Sequence, residues 1–233
     1  MYEVDLHSHT SYSHDAHTSP REFVGRAREV GLDRIAVTDH GTIEGALRAK
    51  ELDPDLVIVG EEVRCACHTE LIGLFLSERI PMRLPLAEVV DRIRDQGGVI
   101  YAPHPFAYAR EARRRAARAL EVADVVEAIN ARAFLPGWNR AASRAAAKRG
   151  IPQAAGSDAH FAFEIGRART LMPAFDSVGS FAAALSEARP RQLAVSGPAL
   201  HVASLGINCS RRASRVLLSL SPALPRPRVA RAS

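Results

Sequence analysis

Histidines and carboxylates recur along this chain in short clusters. His7 and His9 form a His-x-His pair, followed closely by His14, Asp15 and His17. Asp39-His40, Glu61-Glu62, His104 between Pro103 and Pro105, and Asp158-x-His160 complete the series. Imidazole nitrogens with carboxylates and no thiolates suit Zn²⁺, Mn²⁺ or Fe²⁺ better than Mg²⁺, which prefers oxygen and water. About eight donors exceed what one tetrahedral ion uses, which predicts two or three divalent ions sharing carboxylate bridges. Ions roughly 3.5–4 Å apart stabilise attacking and leaving oxygens together, so a metal cluster points to phosphoryl transfer. Each signal has an ordinary reading alone: a surface or core histidine, or a helix cap at Asp39 or Asp158. Five such clusters in one chain make coincidence a poor explanation.

The elements between these clusters explain how they could meet. Tyr2, Val4 and Leu6 alternate as in a strand, and Arg34–Thr38, Leu56–Val59, Val99–Ala102, Val125–Ile129 and Gln153–Ala155 read as buried strands. Ser19-Pro20 with Glu22 opens a helix that Gly31 ends, and helical patterns follow at Thr42–Leu52, Leu86–Ile93, Glu111–Leu120, Trp138–Arg149 and Phe181–Ala188. Val63–Leu76 reads as a short hairpin, and Arg169–Met172 as a further strand. Strand–helix alternation predicts parallel α/β architecture, and six or seven units in this length favour a small barrel. Each histidine or acid cluster follows a strand, and in such folds the C-terminal strand ends converge on one mouth. Side chains at i and i+2 share a face, so His7 with His9, and Asp158 with His160, can grip one ion. The two prolines stiffen the backbone around His104.

Composition narrows the classes. With 233 residues, 47% hydrophobic and 24% charged, the chain reads as globular rather than disordered or fibrous. Three cysteines are too few for a disulfide framework, the first residues lack a basic leader pattern, and no apolar run is long enough for a membrane span. A cytoplasmic protein is expected. The net charge of +5 is uneven, because residues 188–233 hold eight arginines and no acid, leaving 23 basic against 26 acidic groups before them. A mildly acidic body with few aromatics does not favour a nucleic-acid groove. After about Gly206 the pattern degenerates into a basic low-complexity tail, with disorder expected over 206–233 and a domain over 1–205. Cys65-x-Cys67-His68 lacks a second cysteine pair and reads as strand and turn rather than a thiolate zinc site.

The ordered motifs Asp5-Leu6-His7-Ser8-His9-Thr10 with Ser13-His14-Asp15, Thr38-Asp39-His40, Gly60-Glu61-Glu62-Val63, Pro103-His104-Pro105 and Gly156-Ser157-Asp158-Ala159-His160 resemble the PHP (polymerase and histidinol phosphatase) family of metal-dependent phosphoesterases, in its short stand-alone form. The resemblance spans about residues 2–205. It implies a distorted seven-stranded β/α (TIM-like) barrel. It further implies a first metal on His7, His9, Glu62 and Asp158, a second sharing Glu62 and taking His104, and a third on Asp15, His40 and His160. Many members carry a second-metal histidine where this chain has Glu70. Either Glu70 replaces it as a carboxylate ligand, favouring Mn²⁺ or Fe²⁺, or that site is weaker. Glu62 fits the motif register better than Glu61, and His14 competes with Asp15.

The expected reaction is hydrolysis of a small phosphomonoester or nucleotide by water activated at the metals. His160 or His104 is the candidate proton donor to the leaving group, although a metal-bound imidazole is a poor acid. Asn130 and Arg132, after the strand that ends near Ile129, and Arg167 after His160 are candidate phosphate contacts. An ion pair with Glu164 is the competing role for either arginine. Arg113–Arg115 and Arg118 read as a solvated helix face. The alternatives are a 5′-to-3′ exonuclease on short RNA or DNA, a TIM-barrel amidohydrolase, and a metal-binding regulator without turnover.

Overall fold

The structure is a computed structural model that describes residues 1–107 and 111–220. Among these residues nine strands form one sheet: β1 (Tyr2–Asp5), β2 (Arg34–Val37), β3 (Val57–Arg64), β4 (Glu70–Leu74), β5 (Val99–Ala102), β6 (Val125–Asn130), β7 (Gln153–Gly156), β8 (Ala168–Met172) and β9 (Arg189–Gln192). Among the described residues seven α-helices accompany them: α1 (Pro20–Glu29), α2 (Glu44–Leu52), α3 (Leu86–Asp95), α4 (Ala112–Val122), α5 (Pro136–Arg149), α6 (Val178–Ala184) and α7 (Pro198–Leu220). The spatial order is β7-β6-β5-β4-β3-β2-β1-β8-β9. Chain leaving β1 meets chain leaving β7, with a bridge from Ser8 to Ala159 and a bond from the Asp158 amide to the His7 carbonyl at 2.7 Å, so the sheet nearly closes.

The local causes are legible. The Ser19 hydroxyl accepts from the Glu22 amide, Pro20 takes the first helical position, and Phe23 and Ala27 are buried from α1. Arg28 forks onto both oxygens of Asp53 at 2.7 and 2.9 Å, tying α1 to the end of α2. Gly150 ends α5 in the left-handed conformation at φ 67°. One apolar layer lies between helices and sheet, with Phe23, Ile35, Val59, Leu71, Ile93 and Ile100 among its members. A second holds Val4, Ile58, Ile72, Tyr101, Val125 and Met172 together with Phe175 and Phe181, whose rings meet edge to face at 5.0 Å.

Three expectations change. The seven strands become nine: the expected hairpin at Val63–Leu76 sets β4 antiparallel between β3 and β5, the expected strand near Arg169–Met172 is β8, antiparallel to β1, and β9, which was not expected, pairs antiparallel with β8. Glu61 and Glu62 also lie inside a strand rather than after one, since pairing with β4 carries β3 on to Arg64. Residues 206–220, assigned above to the tail, continue α7, and 221–233 lie outside the described residues. No described helix is long and apolar enough to cross a membrane.

Candidate metal centre

Strand alternation selects the acid at Glu61-Glu62. Ile58, Gly60 and Glu62 share one face of β3, and Ile58 belongs to the apolar layer below. Glu62 therefore points up among the histidines: its carboxylate lies 3.3 Å from His7 Nε2, 3.5 Å from His9 Nε2, 3.3 Å from His40 Nδ1 and 3.4 Å from His104 Nε2. Glu61 points the other way and accepts from the Ile80 amide at 2.7 Å. Burial pushes the Glu61 carboxyl up to about 7.

The remaining groups close round Glu62. Asp158 Oδ1 is 3.2 Å from His9 Nε2 and 3.6 Å from His7 Nε2. Asp15 Oδ2 is 3.3 Å from His160 Nε2 and 3.5 Å from His40 Nε2. Among the described residues, four sets of ligand-capable atoms lie within 4.8 Å of one another: His7–His9–Glu62, His9–His40–His160, Glu62–Glu70–His104 and His7–His104–Glu127. Every ligand candidate named from sequence is thus at one locus, Glu70 included. His14 is the exception among the neighbours, nearly half exposed with its ring beside His40. Cys65 is buried, Cys67 bonds Thr69, and neither belongs to a metal-compatible set among the described residues.

Partners on the far side of each ring fix its tautomer. His7 Nδ1–H donates to Glu127 Oε1 at 3.0 Å, and His160 Nδ1–H donates to the Asp158 carbonyl at 2.8 Å. His9 Nδ1 faces Ser13 Oγ at 3.2 Å; that hydroxyl donates to Asp39 Oδ1 at 2.8 Å, so the ring nitrogen must be the donor. With Nδ1 of all three rings committed outward as a donor, Nε2 is the nitrogen each turns to the centre, the arrangement that aims an imidazole at a metal. Asp39 itself accepts from the Thr10 amide and hydroxyl at 2.7 and 2.6 Å and holds the first loop in place.

Sequence reasoning passed over Glu127. It is fully buried in β6, takes His7 on one oxygen, and takes the His104 amide at 2.6 Å and the Asn130 side-chain amide at 3.0 Å on the other. The signal was an acid inside an otherwise apolar strand. Gly156 is small because of it: a Cβ there would collide with Glu127 Oε1 and His7 Cβ. His104 and Asp158 sit at φ 25° and 54°, left-handed values that non-glycine residues rarely adopt. Backbone strain of this kind survives where the surroundings dictate the geometry.

Charge balance describes what the centre lacks. Burial by itself would strip the proton from His40 and His104, but Glu62 and its neighbouring acids outweigh it and raise them to about 10 and about 9. His9, buried among His160 and His40, falls to about 3. Burial opposes ionisation of Asp158, Asp15 and Glu62, yet the imidazoles hold all three below the usual carboxylate range. Protons held on His7, His40 and His104 balance the carboxylates packed among them. Divalent cations fit the same donor set and the same charge.

A cavity of about 620 Å³ opens on the centre. Asp15, His40, Glu62, His104, Asp158 and His160 line it, and Glu70, Arg64 and Arg115 border it as one group. Arg132, Phe134 and, from α7, His201, Ser204 and Leu205 border it as another. Arg132 reaches the cavity but is engaged: Nε pairs with Glu164 at 3.1 Å, and Nη2 donates to the Leu200 carbonyl and Ser204 Oγ. Asn130 is buried and donates to Asp158 at 3.2 Å, a supporting rather than a substrate-facing position. Arg167 is not among the lining residues; it donates to Ser196 Oγ and lies over the Phe163 ring. Arg115 departs from the solvated face expected of it, and His201, whose Nε2–H donates to the Arg132 carbonyl at 2.9 Å, was not anticipated at all.

The PHP domain family profile matches residues 5–76, and the PHP-associated profile matches residues 136–190. The uncharacterized protein MJ1587 of Methanocaldococcus jannaschii is 37% identical over 117 residues, covering 45% of this chain and 68% of that protein. The chain belongs to the PHP family. A second uncharacterized M. jannaschii protein, MJ0417, is 42% identical over 122 residues, and the chain spans half of its length. A two-domain Bacteroides vulgatus protein, described as containing a predicted PHP-like metal-dependent phosphoesterase, superposes with a TM-score of 0.64 at 18% identity, over 82% of this chain and 64% of that one. PHP membership accounts for the nearly closed barrel and for a rim of metal-compatible side chains.

Proposed function

We propose that this PHP protein hydrolyses a phosphate ester, and that its substrate is a small phosphomonoester or nucleotide. The observation carrying this reading is the convergence of six imidazole and carboxylate groups with Glu70 on one cavity, with His7 and His9 directly beneath them. His7, His9, Glu62 and Asp158 would hold one ion, Glu62, Glu70 and His104 a second, and Asp15, His40 and His160 a third. Ions there would supply Lewis acidity toward phosphoryl oxygens and an activated water.

The chain's own groups do the rest. Glu127, Ser13 and the Asp158 carbonyl orient three rings so that donor atoms need no rearrangement when substrate arrives. Arg132, paired with Glu164 and held by α7, borders the cavity without freedom to swing. Both candidate acids, His104 and His160, stand inside ligand sets. Proton delivery to the leaving oxygen by either one therefore requires an imidazole that has let go of its ion. The cavity volume accepts a nucleotide-sized ligand.

The test is the Mn²⁺-loaded protein against phosphomonoesters, nucleotides and 5′-phosphorylated oligonucleotides, reading inorganic phosphate and oligonucleotide length. Phosphate release from small esters at rates above those for oligonucleotides supports the reading. Shortening of oligonucleotides with small esters untouched replaces it with an exonuclease, and no release from any of them defeats it.

A further inference from the structure

The cations bordering the cavity are not alike. Arg132 is closed by a 3.1 Å ion pair and two further acceptors. Arg64 and Arg115 share one carboxylate between them. Arg64 stands directly across from Glu70 in the β3–β4 ladder, with Nε 3.9 Å from Oε1, and Arg115 on α4 places Nη1 3.8 Å from Oε2. These are long contacts. Arg115 has one weak further acceptor, the His68 carbonyl at 3.4 Å, and its Nε is buried with no hydrogen-bond partner. Glu70 meanwhile belongs to the ligand-capable set with Glu62 and His104.

Two guanidinium groups against one carboxylate leave positive charge facing the cavity beside that set. If Glu70 turns its oxygens to an ion, the surplus grows. Guanidinium forks recognise phosphate and carboxylate oxygens in pairs, and a half-buried fork is stronger than an exposed one because water competes less. Resting on the phosphoesterase reading, we propose that Arg64 and Arg115 form a second anion-binding subsite, which takes a second phosphate or carboxylate of the substrate. The substrate then carries two anionic groups, one over the metal ligands and one on this pair.

Binding of nonhydrolysable ligands tests the subsite without turnover. Calorimetric titration of the Mn²⁺-loaded protein compares phenylphosphonate, 4-carboxyphenylphosphonate and a 5′-phosphonate dinucleotide analogue. The ligands with a second anion should bind about tenfold more tightly than phenylphosphonate, the gain of one charge-assisted pair. Arg64→Gln and Arg115→Gln should each remove most of that preference while bound Mn²⁺ stays at the wild-type count. A preference for both bis-anionic ligands assigns the subsite to any such group, and one confined to the dinucleotide assigns it to a neighbouring nucleotide phosphate. Equal affinity for all three ligands, or a preference surviving both substitutions, overturns the proposal. Loss of Mn²⁺ with the preference intact also overturns it, reducing the arginines to supports for Glu70. Turnover of phenyl phosphate, measured separately, reports on the phosphoesterase reading alone.

Discussion

The two ends of this barrel make opposite use of similar side chains. At the N-terminal ends of the strands, a cavity of about 390 Å³ is lined by Arg34, Lys50, Asp55 and Phe175, among others. Its cations are turned to the chain itself: Lys50 donates to the Pro54 and Val57 carbonyls, and Arg34 to those of Asp55 and Phe175 while covering the Tyr2 and Phe175 rings. At the other end, carboxylates and imidazoles face one another with few backbone partners on their inner atoms. Charge satisfied by backbone is structure. Charge left facing like and unlike side chains across a cavity is a demand for ligand, and that contrast separates the stabilising end from the reactive one.

Substitutions should obey the contrast, the largest effects coming from the reactive end. Asp158→Asn keeps a residue that tolerates φ 54° yet removes a charge shared by His7 and His9. Phosphate release should fall to background and bound metal should drop, with the thermal transition retained; near-normal turnover with full metal content would remove Asp158 from the centre. Phe181→Ala, at the opposite end, empties a fully buried ring position and should cost about 3–5 kcal/mol in denaturant unfolding. The folded fraction should still bind its full complement of ions. If it does not, the two ends are coupled and the contrast fails.

Glu127→Gln sharpens the comparison from beneath the centre. Three donors converge on that carboxylate, and a glutamine side chain offers one acceptor and one donor in the same volume. Metal affinity should fall about 10–100-fold by competition titration, with stability little changed; unaltered affinity would make Glu127 mere packing. The sign of the pH effect also follows. In the metal-free protein His40 and His104 hold protons up to about 10 and about 9. A cation binding at neutral pH must displace protons, so affinity rises with pH until those values are passed. Titrations in buffers of different ionisation enthalpy should show proton release, and a buffer-independent heat would contradict the charge balance. The smallest effect belongs to Lys50→Met, which should cost about 1 kcal/mol and leave catalysis alone.

Much of this was readable before the fold. His7, His9, His40, His104, Asp158 and His160 are legible because strand ends in a parallel sheet gather whatever follows them. Glu62 over Glu61 is legible too, and alternation along β3 supplies its physical reason. β9 was not, since Arg189-Pro190-Arg191-Gln192 is polar and mostly exposed and carries no apolar alternation, whereas the hairpin pattern over Val63–Leu76 had already marked β4. Glu127 escaped because one acid in an apolar run does not say which buried donors it meets. Arg115 and His201 escaped because a helix pattern gives the face but not its neighbour. Arg132 offered both of its roles in sequence, and packing against Glu164 brought it to the cavity already paired.

The most direct measurement is titration of metal-free wild-type protein with Mn²⁺, following bound ions and phosphate released from a small ester in the same samples. The account predicts that two or three ions bind per chain and that phosphate release appears as they fill. Binding of less than one ion per chain, or saturation with no phosphate released, would contradict it.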